Sequence, residues 1–471
     1  MLSTVPQEVA MTAATGPYQG ALHARVSQEL TCDSLPVTGE LPVELCGTFA
    51  RNSGNPQFAP LGRTHWFDGD GMVHAIRLVN GQASYRNRWI RTSAFERERE
   101  AGRAVWGGLL EPLDPSLRPP VKDTANTDVI WHGGKLLATW WLSGTPMALS
   151  LPELETLGPC TFGGGLPRQG CAAHPKVCPK TGELMFFGYS LTHSPHYAYG
   201  VVSAEGALTH TVELELPPRV PHDIAITERY TILLDLPLGY DLAELRKGKR
   251  TIRFDREAPA RFGVIPRHGQ ADEIRWFEVP ACYVYHTINA YEDGPEVVLT
   301  ACRIEDPIPE GDLPARGARL DSISLEPYLY RWRFNLETGE VRGEQLDDVS
   351  TEFPRTHDAR LTSALRYSYN PRVSPSHDLA FDGILKYDLE QGRSWTHTYP
   401  PGWYGGEVLF APRPGAEAED AGWVLSVLTH PDEGSRLVVL DAAQLEADPL
   451  ATISLPQRIP LGFHAEWAPG V

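Results

Sequence analysis

Four of the sixteen histidines stand apart by their settings: His174 in "CAAHPK", His222 in "VPHDIAIT", His286 in "YVYHTINAYE" and His464 in "GFHAEW". Each lies beside an apolar, strand-like run, and successive members are 48, 64 and 178 residues apart. Such spacing excludes a zinc finger or an H-E-x-x-H helix. Any one alone reads as a structural histidine. Together they suggest a metal site, because neutral imidazoles suit Fe, Zn, Cu or Ni, and open positions mark a metal that takes substrate or O2. A ligating histidine usually donates its second ring N–H to a carboxylate or carbonyl. Glu352 in "TEFPR" and Glu407 in "WYGGEVLFAPRPG" are candidates for that role, although spacing leaves each equally readable as a surface carboxylate at a strand end.

Weaker signals fall away. "DGDG" at 68–71 resembles the start of a calcium loop, but Val79 stands where the bidentate glutamate belongs. "GGG" at 163–165 opens no strand–helix phosphate loop, and no G-x-S-x-G elbow occurs. His65, His74, His193, His196, His210, His268, His397 and His430 read as surface or structural residues.

Bringing distant histidines together requires elements that converge. The chain is rich in short β-branched and aromatic runs broken by turn signals, the pattern of an all-β fold. Hairpins are expected at 72–90, where Asn80-Gly81 makes the turn, and at 283–303, 328–346, 383–399 and 423–445. A strand is expected after the turn in "KTGELMFFGYS" at 180–190. Recurring hairpins suggest a β-propeller, whose blades take about 45 residues each. At a propeller axis, inner strands of different blades converge. Helices are expected at 93–100 and 239–250. Pro- and Gly-rich connections near 101–121, 158–170, 256–270, 304–327 and 400–422 are expected to form a cap. No linker divides residues 1–471, so a single domain is expected, with a flexible start over roughly residues 1–25.

Composition narrows the setting. With 42% hydrophobic and 22% charged residues, the chain is an ordinary globular one. A net charge of −18 excludes nucleic acid as a natural partner, since phosphate binding rests on Lys and Arg. The basic stretch "RKGKR" at 246–250 reads as a solvated loop, with contact to anionic lipid as the alternative. Seven irregularly spaced cysteines read as reduced. No apolar run is long enough to span a membrane, and "MLSTVPQEVAMTAATGPYQG" lacks the features of a signal peptide. A cytoplasmic protein is expected, with room for peripheral membrane contact through apolar loops.

The ordered motifs "LPVELCGTFARNSGNPQF", "HWFDGDGMVHAIRL", "DTANTDVIW", "AAHPKVCPKTGELMFFGYS", "VPHDIAIT", "VYHTINAYE", "TEFPR", "GGEVLFAPRPG" and "GFHAEW" run over nearly the whole length. In them the chain resembles the carotenoid cleavage oxygenase family, which includes apocarotenoid oxygenases, stilbene-cleaving oxygenases and retinoid isomerases. The resemblance implies a seven-bladed β-propeller with a helical and loop dome over the iron-bearing face. It implies Fe(II) held by His174, His222, His286 and His464, with Glu352 and Glu407 behind them. Thr127 matches a threonine whose methyl group shields one coordination position, and "DGDGM" becomes a structural motif of an early blade.

One departure concerns a third glutamate, which relatives place fourteen residues after that threonine. Here "LATWWLSGTPMAL" puts Trp141, or Leu142 with a shifted gap, at that position. A ligand, His222 by this reading, is left needing another hydrogen-bond partner. Stilbene-cleaving relatives carry a lysine just before the glutamate to hold a phenol oxygen, and here Trp140 replaces it. Trp140 and Trp141 are therefore read as substrate-binding residues favouring an apolar polyene. The implied function is O2-dependent cleavage of an apocarotenoid double bond into two carbonyl products. The alternatives are stilbene or phenylpropene cleavage, an iron-dependent isomerase, and a propeller that binds a ligand without catalysis.

Overall fold

Asn80 and Gly81 both take positive φ, 50° and 73°. A two-residue I′ turn requires this, and it lets Gly71–Val79 fold back on Gln82–Trp89. The same local logic produces the other expected hairpins: Tyr283–Asp293 with Glu296–Ile304, Tyr328–Asn335 with Val341–Ser350, Phe381–Asp388 with Arg393–Thr398, and Gly422–His430 with Gly434–Asp441. The structure is a computed structural model describing residues 20–308, 318–320, 323–375 and 380–471.

Seven antiparallel sheets form the blades of a β-propeller. Blades two to five each have four strands, beginning with Asp128–His132, Lys176–Val177, Ile224–Ile226 and Tyr283–Asp293 as the innermost. Blade six has three, and residues 351–355 bridge onto its inner strand, with Thr351 opposite Arg372 and Arg355 opposite Tyr369. Blade seven runs from Val408–Pro412 outward to Val37–Gly39, which comes from the opposite end of the sequence. Blade one takes Ala465–Pro469 as its innermost strand, paired with Gly47–Gly54. Two distant segments thus lock the ring closed.

Blades packed on both faces explain the sequence texture. All six residues of Leu184–Tyr189 are buried, whereas the outer strand Leu208–Leu214 largely alternates between covered and exposed. Apolar side chains fill the gaps between blades: Phe262, Trp332 and Phe334 between blades four and five, and Phe49, Ile76, Leu425 and Trp467 where blade seven meets blade one. Each such side chain contributes about 1.5–3 kcal/mol by leaving water.

The expected helix at 93–100 forms as Ser93–Ala101, with Thr92 accepting from the Phe95 N–H and Gly102 ending it at φ 65°. The second does not extend over 239–250. Leu238–Tyr240 is a strand paired with Ile252–Phe254, leaving only the single turn Leu242–Leu245, capped by Asp241. Ala260–Pro266, read as part of a connection, is a strand of blade four. The dome is therefore mostly loops, with 105–121 tied to 238–254 through the Leu113 N–H to the Gly248 carbonyl.

The connection 304–327 falls partly outside the described residues, as do residues 1–19 of the expected flexible start. Residues 21–23 form a 3-10 turn, and the Leu22 carbonyl accepts from Leu461. "DGDG" is structural: Asp68 accepts from the backbone of His65 and Leu109, and Asp70 pairs with Lys122. Among the described residues no helix is long and apolar enough to cross a membrane.

Candidate metal centre

Each blade delivers one residue of interest to the axis, in or just before its inner strand or, for blade six, on the segment 351–355 that bridges onto that strand. In chain order these are Thr127, His174, His222, His286, Glu352, Glu407 and His464. The last precedes Ala465–Pro469, so ring closure itself carries His464 inward. Ring centroids of His174 lie 4.9 Å from His222, 4.8 Å from His286 and 4.3 Å from His464. His286 lies 5.1 Å from His222 and 4.7 Å from His464. The four residues are at most 7% exposed.

Burial drives all four pKa values down, His464 to about 3, and neighbouring rings depress His174 and His222 further. Neutral imidazoles, the form that ligates a metal, are the result. The Nε2 atoms of His174 and His286 are buried without a hydrogen-bond partner, which a central ion would satisfy. Candidate ligand atoms of His174, His222 and His286 all lie within 4.8 Å of one another.

Two carboxylates fix tautomers. His286 Nδ1 donates to Glu352 Oε2 at 2.5 Å, and His464 Nδ1 donates to Glu407 Oε1 at 3.0 Å. Each carboxylate also accepts a backbone N–H, Phe353 for Glu352 and Ala465 for Glu407. Burial raises both pKa values, Glu407 to about 7, with Arg355 opposing the rise there.

A third carboxylate had no sequence signal beyond its place after Thr127. Asp128 Oδ2 accepts the His174 backbone N–H at 3.1 Å and lies 3.4 Å from His174 Nδ1. It secures a residue in the strained left-handed region, φ 66°. Asp223, the residue after His222, similarly accepts from the Thr287 N–H and hydroxyl beside His286, and pairs with Lys176. Among the described residues nothing hydrogen-bonds the His222 ring, and Tyr285 stands edge-on to it at 4.8 Å.

Thr127 accepts from the Trp141 N–H, donates to Asn126 and lines a cavity beside the histidines. That small cavity, about 40 Å³, touches His222, His286 and His464 and is walled by Trp66, Phe67, Trp141, Tyr285, Phe353 and Phe463. A cavity of about 350 Å³ shares Phe67, Trp141, His222 and Tyr285 with it and reaches His65, which is buried rather than superficial. Trp141 thus stands on the cavity. Trp140 does not; it lines a neighbouring space beside Trp106 and Lys122. On the other side of the histidines an axial channel of about 310 Å³ is charged, with Asp128, Lys176, Asp223, Arg355, Glu407 and Glu466 along it. One side of the cluster is aromatic, the other polar.

The sequence profile of the retinal pigment epithelial membrane protein family matches residues 23–469. A carotenoid 9,10(9',10')-cleavage dioxygenase of Pisum sativum is 38% identical over 92% of this chain and 86% of its own. The chain belongs to the carotenoid cleavage oxygenase family. An isoeugenol monooxygenase of Pseudomonas nitroreducens is 32% identical over 92% of this chain and 94% of its own. Lignostilbene dioxygenase of Pseudomonas brassicacearum superposes with a TM-score of 0.89 at 30% identity, covering 98% of this chain and all of the other. Cobalt-substituted Synechocystis apocarotenoid oxygenase gives 0.83 at 28% identity, covering 96% and 98%. This carotenoid cleavage oxygenase therefore pairs a seven-bladed scaffold with a histidine site able to hold a metal.

Proposed function

We propose that the protein is a non-haem Fe(II) dioxygenase that splits one double bond of an apocarotenoid or similar apolar polyene with O2 into two carbonyl products. The observation that carries this is the cluster of four buried, neutral imidazoles, three of which, His222, His286 and His464, line an aromatic cavity. His174, His222, His286 and His464 would hold Fe(II), which when bound would supply the electron density that O2 needs to react with an alkene. Glu352 and Glu407 keep Nδ1 of His286 and His464 protonated, so Nε2 is free to ligate. Trp66, Phe67, Trp141, Tyr285, Phe353 and Phe463 offer flat faces to a planar polyene and exclude water. Both atoms of O2 end in the two carbonyls, so no proton is gained or lost. No side-chain acid or base is required.

A second reading, cleavage of stilbenes or phenylpropenes, is favoured by the likeness to isoeugenol monooxygenase and lignostilbene dioxygenase. The test is aerobic incubation of the Fe(II)-reconstituted protein with β-apo-carotenals, or with resveratrol and isoeugenol, followed by mass spectrometry. Apocarotenoid aldehydes support the first reading, and aromatic aldehydes alone support the second. Isomerised substrate without aldehyde would replace both with an isomerase.

His222, lacking a hydrogen-bonded carboxylate, makes iron retention weak. Losing such a partner costs roughly 10–100-fold in affinity. Metal analysis after purification is expected to give less than one iron per chain, and full, chelator-resistant occupancy would contradict this.

An outer cleft of about 510 Å³, lined by Leu113, Val121, Leu142, Leu191, Leu242 and Leu245, is the face where a peripheral membrane contact would form.

A further inference from the structure

The basic stretch 246–250 is only partly the solvated loop expected. Lys247 and Lys249 are exposed and pair with Glu244. Arg250 instead turns inward, where its Nη1 donates to the carbonyls of Gly108 at 2.6 Å and Glu111 at 3.1 Å. Among the described residues no carboxylate forms an ion pair with it. Arg250 lines the cavity of about 350 Å³ that has His222 on its wall, the outer cleft, and a third space that it shares with Asp68. Leu109, Tyr240 and Arg250 are common to the cavity and the outer cleft and so mark the boundary between them. The inner walls are otherwise mainly apolar, with Phe67, Trp141, Val220, Leu238, Ile252 and Tyr285 among them.

A guanidinium has five donors and no acceptor. Two carbonyls occupy one of its nitrogens, while partial burial lowers its pKa against the opposing fields of Tyr240 and the Asp68 carboxylate. The other donors of Arg250 take no acceptor among the described residues, and a donor turned to an apolar wall is costly unless something hydrogen-bonds to it. An acceptor oxygen on a bound molecule meets that need.

We propose that Arg250 recognises an acceptor oxygen at one end of the substrate, a carbonyl or a phenol oxygen, and so fixes which double bond reaches the four histidines. The proposal rests on the reading of this cavity as the substrate site. Arg250 sits at the cavity's outer boundary, so the reach from that oxygen to the histidines selects the bond. Arg250 is then a specificity-determining residue.

The test is binding, measured by quenching of tryptophan fluorescence in Fe(II)-loaded protein without O2. One pair of probes is a β-apo-carotenal and the same polyene ending in a methyl group. The other is resveratrol and trans-stilbene. Wild type is expected to prefer the oxygen-bearing member of one pair by roughly tenfold or more, the scale of a hydrogen bond to a charged group. The pair that shows the preference identifies the oxygen's source. Arg250→Leu is expected to erase the preference without changing affinity for the hydrocarbon, and Arg250→Lys to retain part of it. Equal affinities within both pairs in wild type would overturn the proposal. So would an Arg250→Leu variant that weakens both members alike, because Arg250 would then merely staple residues 108–111. Aerobic product analysis is separate: an Arg250-dependent preference without aldehyde formation sinks the cleavage reading and leaves this one standing.

Discussion

His464→Ala is expected to abolish metal binding and double-bond cleavage together while leaving the propeller folded. The backbone of Ala465–Pro469 pairs with Gly47–Gly54 through main-chain bonds that need no imidazole, so the ring still closes. What disappears is one ring of the cluster, whose centroid lies 4.3 Å from that of His174 and 4.7 Å from that of His286. Removing a ligand exceeds the roughly 10–100-fold cost of removing a ligand's partner. The metal also stabilises the native state by mass action, by about 4 kcal/mol when its concentration is a thousand times the dissociation constant. Wild type should therefore lose thermal stability on chelation, whereas His464→Ala should be indifferent to chelator and should unfold somewhat below metal-free wild type, because Glu407 Oε1 loses its donor. The same is expected of His174→Ala, His222→Ala and His286→Ala. Metal analysis, thermal unfolding with and without chelator, and product formation check this. Full metal occupancy in any one variant would remove that histidine from the ligand set.

Much of this was legible because it is local. Asn80-Gly81 specifies its turn within two residues, and runs such as "LMFFGY" are apolar because blades cover both their faces. Even the arrival of His464 beside His174 and His286 was legible, through motifs matched along the whole chain. What stayed hidden is long-range. Val37–Gly39 completes blade seven beside Ala451–Ser454, a pairing no periodicity announces. Residues 239–250 carry helix formers, yet strand pairing at 238–240 and 252–254 leaves room for one turn, and an isolated helix that short has little stability of its own. Asp128 is one more acidic residue until folding sets it against the left-handed His174. Trp140 and Trp141 are adjacent in sequence, but only the second stands on the cavity at the histidines. Arg250 sits in a run of charges and is the one whose guanidinium bonds the carbonyls of Gly108 and Glu111 beside the inner cavity.

Glu407→Ala is expected to lose on two counts, and separating them shows what the carboxylate does. Oε1 accepts from His464 Nδ1, so truncation frees the ring to rotate and to exchange tautomers. Metal affinity and turnover should each fall roughly 10–100-fold. Oε2 accepts the Ala465 N–H at 2.6 Å, at the point where the last strand enters blade one. That buried donor is left unpaired, which costs about 1–3 kcal/mol. Glu407→Gln keeps one acceptor oxygen and should satisfy only one of the two donors, sparing either stability or metal affinity. Glu352→Ala should repeat the pattern, since Glu352 clamps His286 and the Phe353 N–H in the same way. Chelator competition measures affinity, and denaturant unfolding of the metal-free proteins measures stability. A Glu407→Ala protein that is less stable but binds metal as wild type does would make the carboxylate a clasp for the closing strand alone. Normal stability with weak metal binding would instead make orientation of His464 its whole contribution. Both losses are expected because the two oxygens serve neighbouring residues, one carrying the ligand and the other beginning the strand that closes the ring.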